Sequence, residues 1–145
     1  MWKEIINNDD ILTLRNLYGD FHDSCLRDLY LSTKEFVDER KAMSFSNDCT
    51  ATLLFQRQSR INPVLELKFL GLQHLSYHPL LANYNNVIYD VTLKIDDGLF
   101  YWADFEGWTL SDYNSRDKDS FWICSEKLFW RLRPELIGNV NRLTE

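Results

Sequence analysis

Residues 86–105 read NVIYDVTLKIDDGLFYWADF, and no stretch constrains the fold more. Val87, Tyr89, Val91, Leu93 and Ile95 alternate with Asp90, Thr92 and Lys94, the period of a half-buried strand. Asp97-Gly98 follows, and a second apolar run begins at Leu99. Asp-Gly between two apolar runs is a hairpin signal, because glycine accepts the positive φ of a tight two-residue turn. The middle of the chain is thereby committed to antiparallel strands.

Other segments read the same way. Ala51, Leu53 and Phe55 alternate with Thr50, Thr52 and Gln56; Leu65, Leu67 and Phe69 alternate with Val64, Glu66 and Lys68. Pro63 suits a strand start, and the polar Ser59–Asn62 link predicts that these two runs pair as a hairpin. Residues 120–132, SFWICSEKLFWRL, read as a last strand, with Pro134 opening a short terminal helix. Near the N-terminus, Ile11, Leu14, Leu17 and Tyr18 keep helical spacing. Asn8 or Asp9 is the expected cap, and Gly19 suits the stop. Residues 24–33 fit both periods; Tyr30, Thr33 and the later Phe36-Val37 tilt them toward strand. The expected fold is one α+β domain over 1–145. Five or six antiparallel strands form a curved sheet, polar on one face in its middle strands, with the N-terminal helix packed alongside. Leu53, Phe55, Leu65, Leu67, Phe69, Tyr89, Val91 and Leu93 are its expected core.

Composition then excludes several functions. The net charge is -6 and no Lys/Arg run exists, so the phosphate contacts of a nucleic-acid binder have no basis; a basic protein partner fits better. Cys25, Cys49 and Cys124 are odd in number and far apart, so free thiols in a reducing compartment, the cytoplasm, are expected. No run approaches the roughly 18 apolar residues of a spanning helix, and no signal core opens the chain; no membrane association is expected.

Chemistry-bearing motifs are sparse. In DFHDSCLRDLY, residues 20–30, His22, Asp23 and Cys25 crowd together. Neighbours along a strand point to opposite faces, so a nucleophile–base pair does not follow from proximity. The simpler reading makes His22 and Asp23 a structural junction between helix and strand, with Cys25 packed as a small hydrophobe. His74 and His78 would share a face only on a helix, and a zinc set would need about four ligands, so no metal is expected. Glycines do not cluster, and GxSxG and HExxH are both missing. Neither catalytic residues nor a cofactor are expected. Acidic residues concentrate at Asp90, Asp96, Asp97, Asp104, Glu106, Asp112, Asp117 and Asp119. Such a run is ordinarily a solvated face. Trp108, beside Gly107 in a loop, is the aromatic best placed to anchor a partner there.

GDFHDSCLRDLYL, LLFQRQ, LELKFLGLQHL, NVIYDVTLKIDDGLFYWAD and FWICSEKLFWRL together resemble a small, uncharacterised bacterial family with a Phe-His-Asp-Ser start. That start is also similar to immunity proteins of bacterial toxin systems, which neutralise a toxin by binding it. The resemblance implies a strand over residues 24–33 and a binding role without catalysis. The expected function is therefore a non-catalytic, cytoplasmic protein-binding module, immunity-like, with an acidic face of Asp96, Asp97, Asp104, Glu106 and Trp108. The alternative is a small hydrolase or ligand-binding domain with a cleft near His22 or the acidic loop.

Overall fold

The computed structural model describes residues 1–79, 86–111 and 120–142. Its strands are β1 (Lys3–Ile5), β2 (Ser24–Ser32), β3 (Phe36–Val37), β4 (Met43–Ser44), β5 (Thr50–Arg57), β6 (Val64–Ser76), β7 (Thr92–Asp96), β8 (Leu99–Ala103) and β9 (Trp122–Leu132). One helix, α1 (Asn8–Leu17), lies between β1 and β2, and single 3-10 turns cover Gly19–Phe21 and Pro134–Leu136. The α+β expectation holds: the described residues are mostly antiparallel sheet, with the helix α1 beside it. The strand count does not. Seven strands form the main sheet in the order β2-β5-β6-β9-β8-β7, with β1 also pairing β9; β3 and β4 form a separate ribbon. Sequence patterning missed β1 because three residues are too short to show a period.

β6 and β9 are the long central strands. β9 holds β6 along one side; on its other side it meets β8 through Trp122–Ser125 and β1 through Leu128–Trp130. The sheet curls until its two edges touch. Ser24 in β2 and Ile88, ahead of β7, exchange both backbone hydrogen bonds, at 3.4 and 2.7 Å. The concave side holds the main core. Leu53 and Phe55, Leu65, Leu67 and Phe69, Leu128 and Trp130, Val91, Leu93 and Trp102 meet Ile11, Leu14, Tyr18 and Phe21 there. Phe21 touches Tyr18, Phe55 and Trp102 edge-on at 5.1–6.0 Å between ring centroids, an arrangement the ring quadrupoles favour.

Local signals explain the element ends. Asp97 and Gly98 take φ of 50° and 75°, the two positive values of the tight turn that joins β7 to β8. Gly19 takes φ 58° and ends α1. The cap is Asn7, not Asn8 or Asp9. Asn7 Oδ1 accepts from the Asp10 N–H at 3.0 Å, and Asp10 Oδ2 accepts from the Asn7 N–H at 3.3 Å. This reciprocal pair satisfies donors at both positions, which a cap at 8 or 9 would not.

Two patterning expectations fail. Tyr89 is 59% exposed and Val87 is exposed, while the skipped Ile88 is buried. The chain leaves the β7 period there to reach β2, and the bridge turns Ile88 inward. The convex face of β5 and β6 is also less polar than alternation implies: Leu54, Val64 and Glu66 are all buried. The C-terminal segment covers them. Gln56 Nε2 donates to Leu136 O and Gly138 O, both at 2.8 Å, and Arg27 donates to Val140 O at 2.7 Å.

Candidate functional site

The five residues expected to form one acidic face do not form one. Asp96 and Asp97 lie at the β7–β8 turn; Asp104 and Glu106 follow β8 at the opposite end of the same hairpin. Asp96 pairs with Leu99, five residue steps before Asp104, about 16 Å at roughly 3.3 Å per residue. Glu106 instead sits near Asp90, whose Oδ1 accepts from the Glu106 N–H at 2.8 Å. Asp112, Asp117 and Asp119 lie outside the described residues.

Trp108 is 1% exposed, which corrects the expectation of a surface anchor. Gly107, at φ 74°, turns the chain back on the sheet. Thr92 then locks the loop: its hydroxyl accepts from the Trp108 N–H at 2.9 Å and donates to Phe105 O at 2.7 Å. The indole packs at 4.7 Å from Trp122 in a second small core with Ala103 and Cys124. Lys94 Nζ lies 5.8 Å from both the Tyr101 and the Trp108 rings.

His22 and Asp23 stand between the 3-10 turn at Gly19–Phe21 and β2. His22 Nδ1 is 2.7 Å from Tyr89 O, and its Nε2 is 3.6 Å from Asp23 Oδ2. Asp23 takes φ 57°, and its carbonyl accepts from the Gln58 N–H at 3.1 Å. Cys25 is exposed rather than packed, so the small-hydrophobe reading fails; its thiol and those of Cys49 and Cys124 are unpaired. His74 stacks on Trp122 at 3.9 Å, where burial lowers its proton affinity, while His78 Nε2 lies 3.2 Å from Ser76 Oγ. Among the described residues no three His, Cys, Asp or Glu side chains gather as a metal ion requires. The cavity beside Asp104, lined by Leu26, His78, Ile88 and Phe121, measures about 120 Å³, well below the several hundred of an ordinary ligand pocket.

Two features escaped the sequence reading. The first lies on the convex face. Glu66 is 1% exposed, yet its carboxylate meets three guanidiniums: Arg131 Nε at 2.6 Å, Arg133 Nη1 at 3.1 Å, and Arg142. Arg142 also grips Asp28, and Arg133 Nε reaches Glu135 at 2.6 Å. Burial alone would lower the Arg142 pKa, but Asp28 and Glu66 outweigh it and raise it. Beside this cluster Lys68 Nζ and Arg131 Cζ lie over the Trp2 ring at 4.3 and 4.1 Å. A groove of about 370 Å³ opens there, lined by Trp2, Tyr30, Thr52, Glu66, Arg131 and Arg142.

The second feature is the β3–β4 arm between β2 and β5. Asp38 builds its turn: Oδ1 accepts from the Arg40 N–H at 2.8 Å and the Ala42 N–H at 3.0 Å, and Asp38 O accepts from the Lys41 N–H at 3.0 Å. The arm carries Phe36, Val37, Met43 and Phe45, exposed by 59%, 54%, 59% and 77%. Alternation points Phe36 to one face of the ribbon and the Val37–Met43 pair to the other.

The fold class of the described residues is thus a curled antiparallel sheet with α1 packed on its concave core. No known protein family, curated protein or solved structure matches this chain. No helix among the described residues is long and apolar enough to cross a membrane.

Proposed function

We propose that the chain is a non-catalytic protein-binding module, immunity-like in kind, that docks a basic protein. The observation that carries this reading is the arm. A two-stranded ribbon builds no core of its own, and its four large apolar side chains sit in water. Clustered exposure of this sort marks an interaction surface. Asp38 holds the arm in shape beforehand, so little conformational entropy is lost when a partner covers it. The net charge of -6 and the two acidic ends of the β7–β8 hairpin supply a field that speeds encounter with a basic partner. Unpaired thiols support a reducing compartment such as the cytoplasm.

The test is a pull-down from the native cell followed by binding kinetics at two salt concentrations. Phe36→Ala with Phe45→Ala is expected to speed dissociation. Charge reversal at Asp97 and Glu106 is expected to slow association and flatten its salt dependence. An acidic partner, or one that ignores both the arm variants and salt, overturns the reading.

A further inference from the structure

The groove on the convex face has a chemistry independent of the arm. Its carboxylates are already committed. Glu66 is enclosed by three guanidiniums, Asp28 is held by Arg142 and Glu135 by Arg133. Two cationic groups are left over. Lys68 projects from the middle of β6, its Nζ 4.3 Å over Trp2 and 5.2 Å over Phe129, and it meets no carboxylate among the described residues. Glu4 shares its cross-strand row but lies beyond Phe129 and forms no ion pair with it. Arg131 gives only Nε to Glu66 and keeps both terminal amino groups, on a side chain 30% exposed. Trp2 lies under both cations, Tyr30 is half-exposed on the lining, and Thr52 adds a hydroxyl.

We propose that this groove binds a small organic anion, a carboxylate or phosphate carried on a flat apolar body. The guanidinium edge of Arg131 offers two parallel N–H donors that match either group, and the Lys68 ammonium, held over the lining residue Trp2 at the rim rather than in the lining itself, adds a point charge. Trp2 and Tyr30 supply apolar walls for the ring. The volume of about 370 Å³ is that of a small-molecule site. Both donors are anchored, Arg131 by Glu66 and Lys68 by two rings, so neither needs ordering on binding.

The probes are benzoate, phenyl phosphate, inorganic phosphate and neutral benzamide, titrated calorimetrically into the full chain. Benzoate or phenyl phosphate is expected to bind one to one, benzamide not at all, and inorganic phosphate more weakly. Lys68→Met is expected to weaken binding about tenfold or more, the usual loss for a charge-assisted hydrogen bond. It breaks no ion pair and keeps an apolar stem against Trp2 and Phe129, so thermal unfolding should shift only by the few degrees that two lost cation–π contacts cost. Arg131→Lys keeps a charge against Glu66 but removes the fork, and it should weaken binding too. Lys94→Met, at the other aromatic cluster, should leave binding unchanged. The proposal is overturned if no anion binds at millimolar concentration, if benzamide binds as well as benzoate, if inorganic phosphate matches phenyl phosphate, or if Lys68→Met and Lys94→Met act alike.

Discussion

Glu66 holds a carboxylate in a dry position on the convex face, and three arginines make that tolerable. Removing its charge should hurt more than removing an exposed one. Glu66→Gln leaves the guanidiniums crowded around an amide, at a cost of about 3 kcal/mol. That is the low end for breaking a buried pair, because the three arginine side chains remain 20–30% exposed. Urea unfolding measures it; a midpoint unmoved by the change would mean the arginines are solvated well enough without Glu66. On the concave side, Phe69 is fully buried, and Phe69→Ala should cost about 3–5 kcal/mol, the transfer of a large ring plus the cavity it leaves. The sequence foretold Phe69 and not Glu66, and the reason is physical. Alternation assigns faces, but whether the second face is wet depends on what lands on it from elsewhere in the chain.

At the scale of elements, the start of α1 offers a sharp comparison. Asn7→Ala removes the side-chain oxygen that holds the Asp10 N–H and should cost about 1 kcal/mol. Asn8→Ala, one residue inside the helix, should change stability by no more than a few tenths, since alanine is the better helix former. Equal effects in thermal melts would argue against the capping geometry. The concave faces of β5 and β6 followed their pattern, with Leu53, Phe55, Leu65, Leu67 and Phe69 all buried, while their convex faces did not. Pattern failed at residues 87–89, where a long-range bridge rather than local spacing decides which residue turns inward. It failed again at Trp108, because a glycine turn that looks like a surface loop can fold onto a sheet.

The whole molecule should be sensitive to alkali. Burial raises the pKa of Tyr18, Tyr101 and Cys124; at Tyr18 contact with Ser24 and the Arg57 guanidinium offsets part of it. Each group keeps its proton in the folded protein after the unfolded chain has lost it. The stability this gives is complete below the unfolded values, about 8.5 for a thiol and about 10 for a phenol, and is lost as pH climbs past them. Unfolding free energy should therefore fall above roughly pH 9. Tyr18→Phe should remove part of that fall, since Tyr18 is the deepest of the three phenol and thiol groups. A stability curve flat to pH 11, or one unchanged by the substitution, would contradict the burial argument. In the same preparation, thiol titration of the denatured, unreduced chain should find all three cysteines.

The sequence by itself determined the antiparallel class, the Asp-Gly turn, the helix with its glycine stop, and most of the concave core. Those features rest on spacing and φ preference within about ten residues, which local chemistry carries in full. Tertiary structure alone decided the curl that joins β2 to Ile88, the burial of Trp108, the division of the acidic residues between two ends of one hairpin, and the arginine cage on Glu66. Each of these joins parts of the chain that spacing does not relate. Glu66 and Arg142 stand 76 positions apart, and only the docking of the C-terminal segment over β6 brings them into contact.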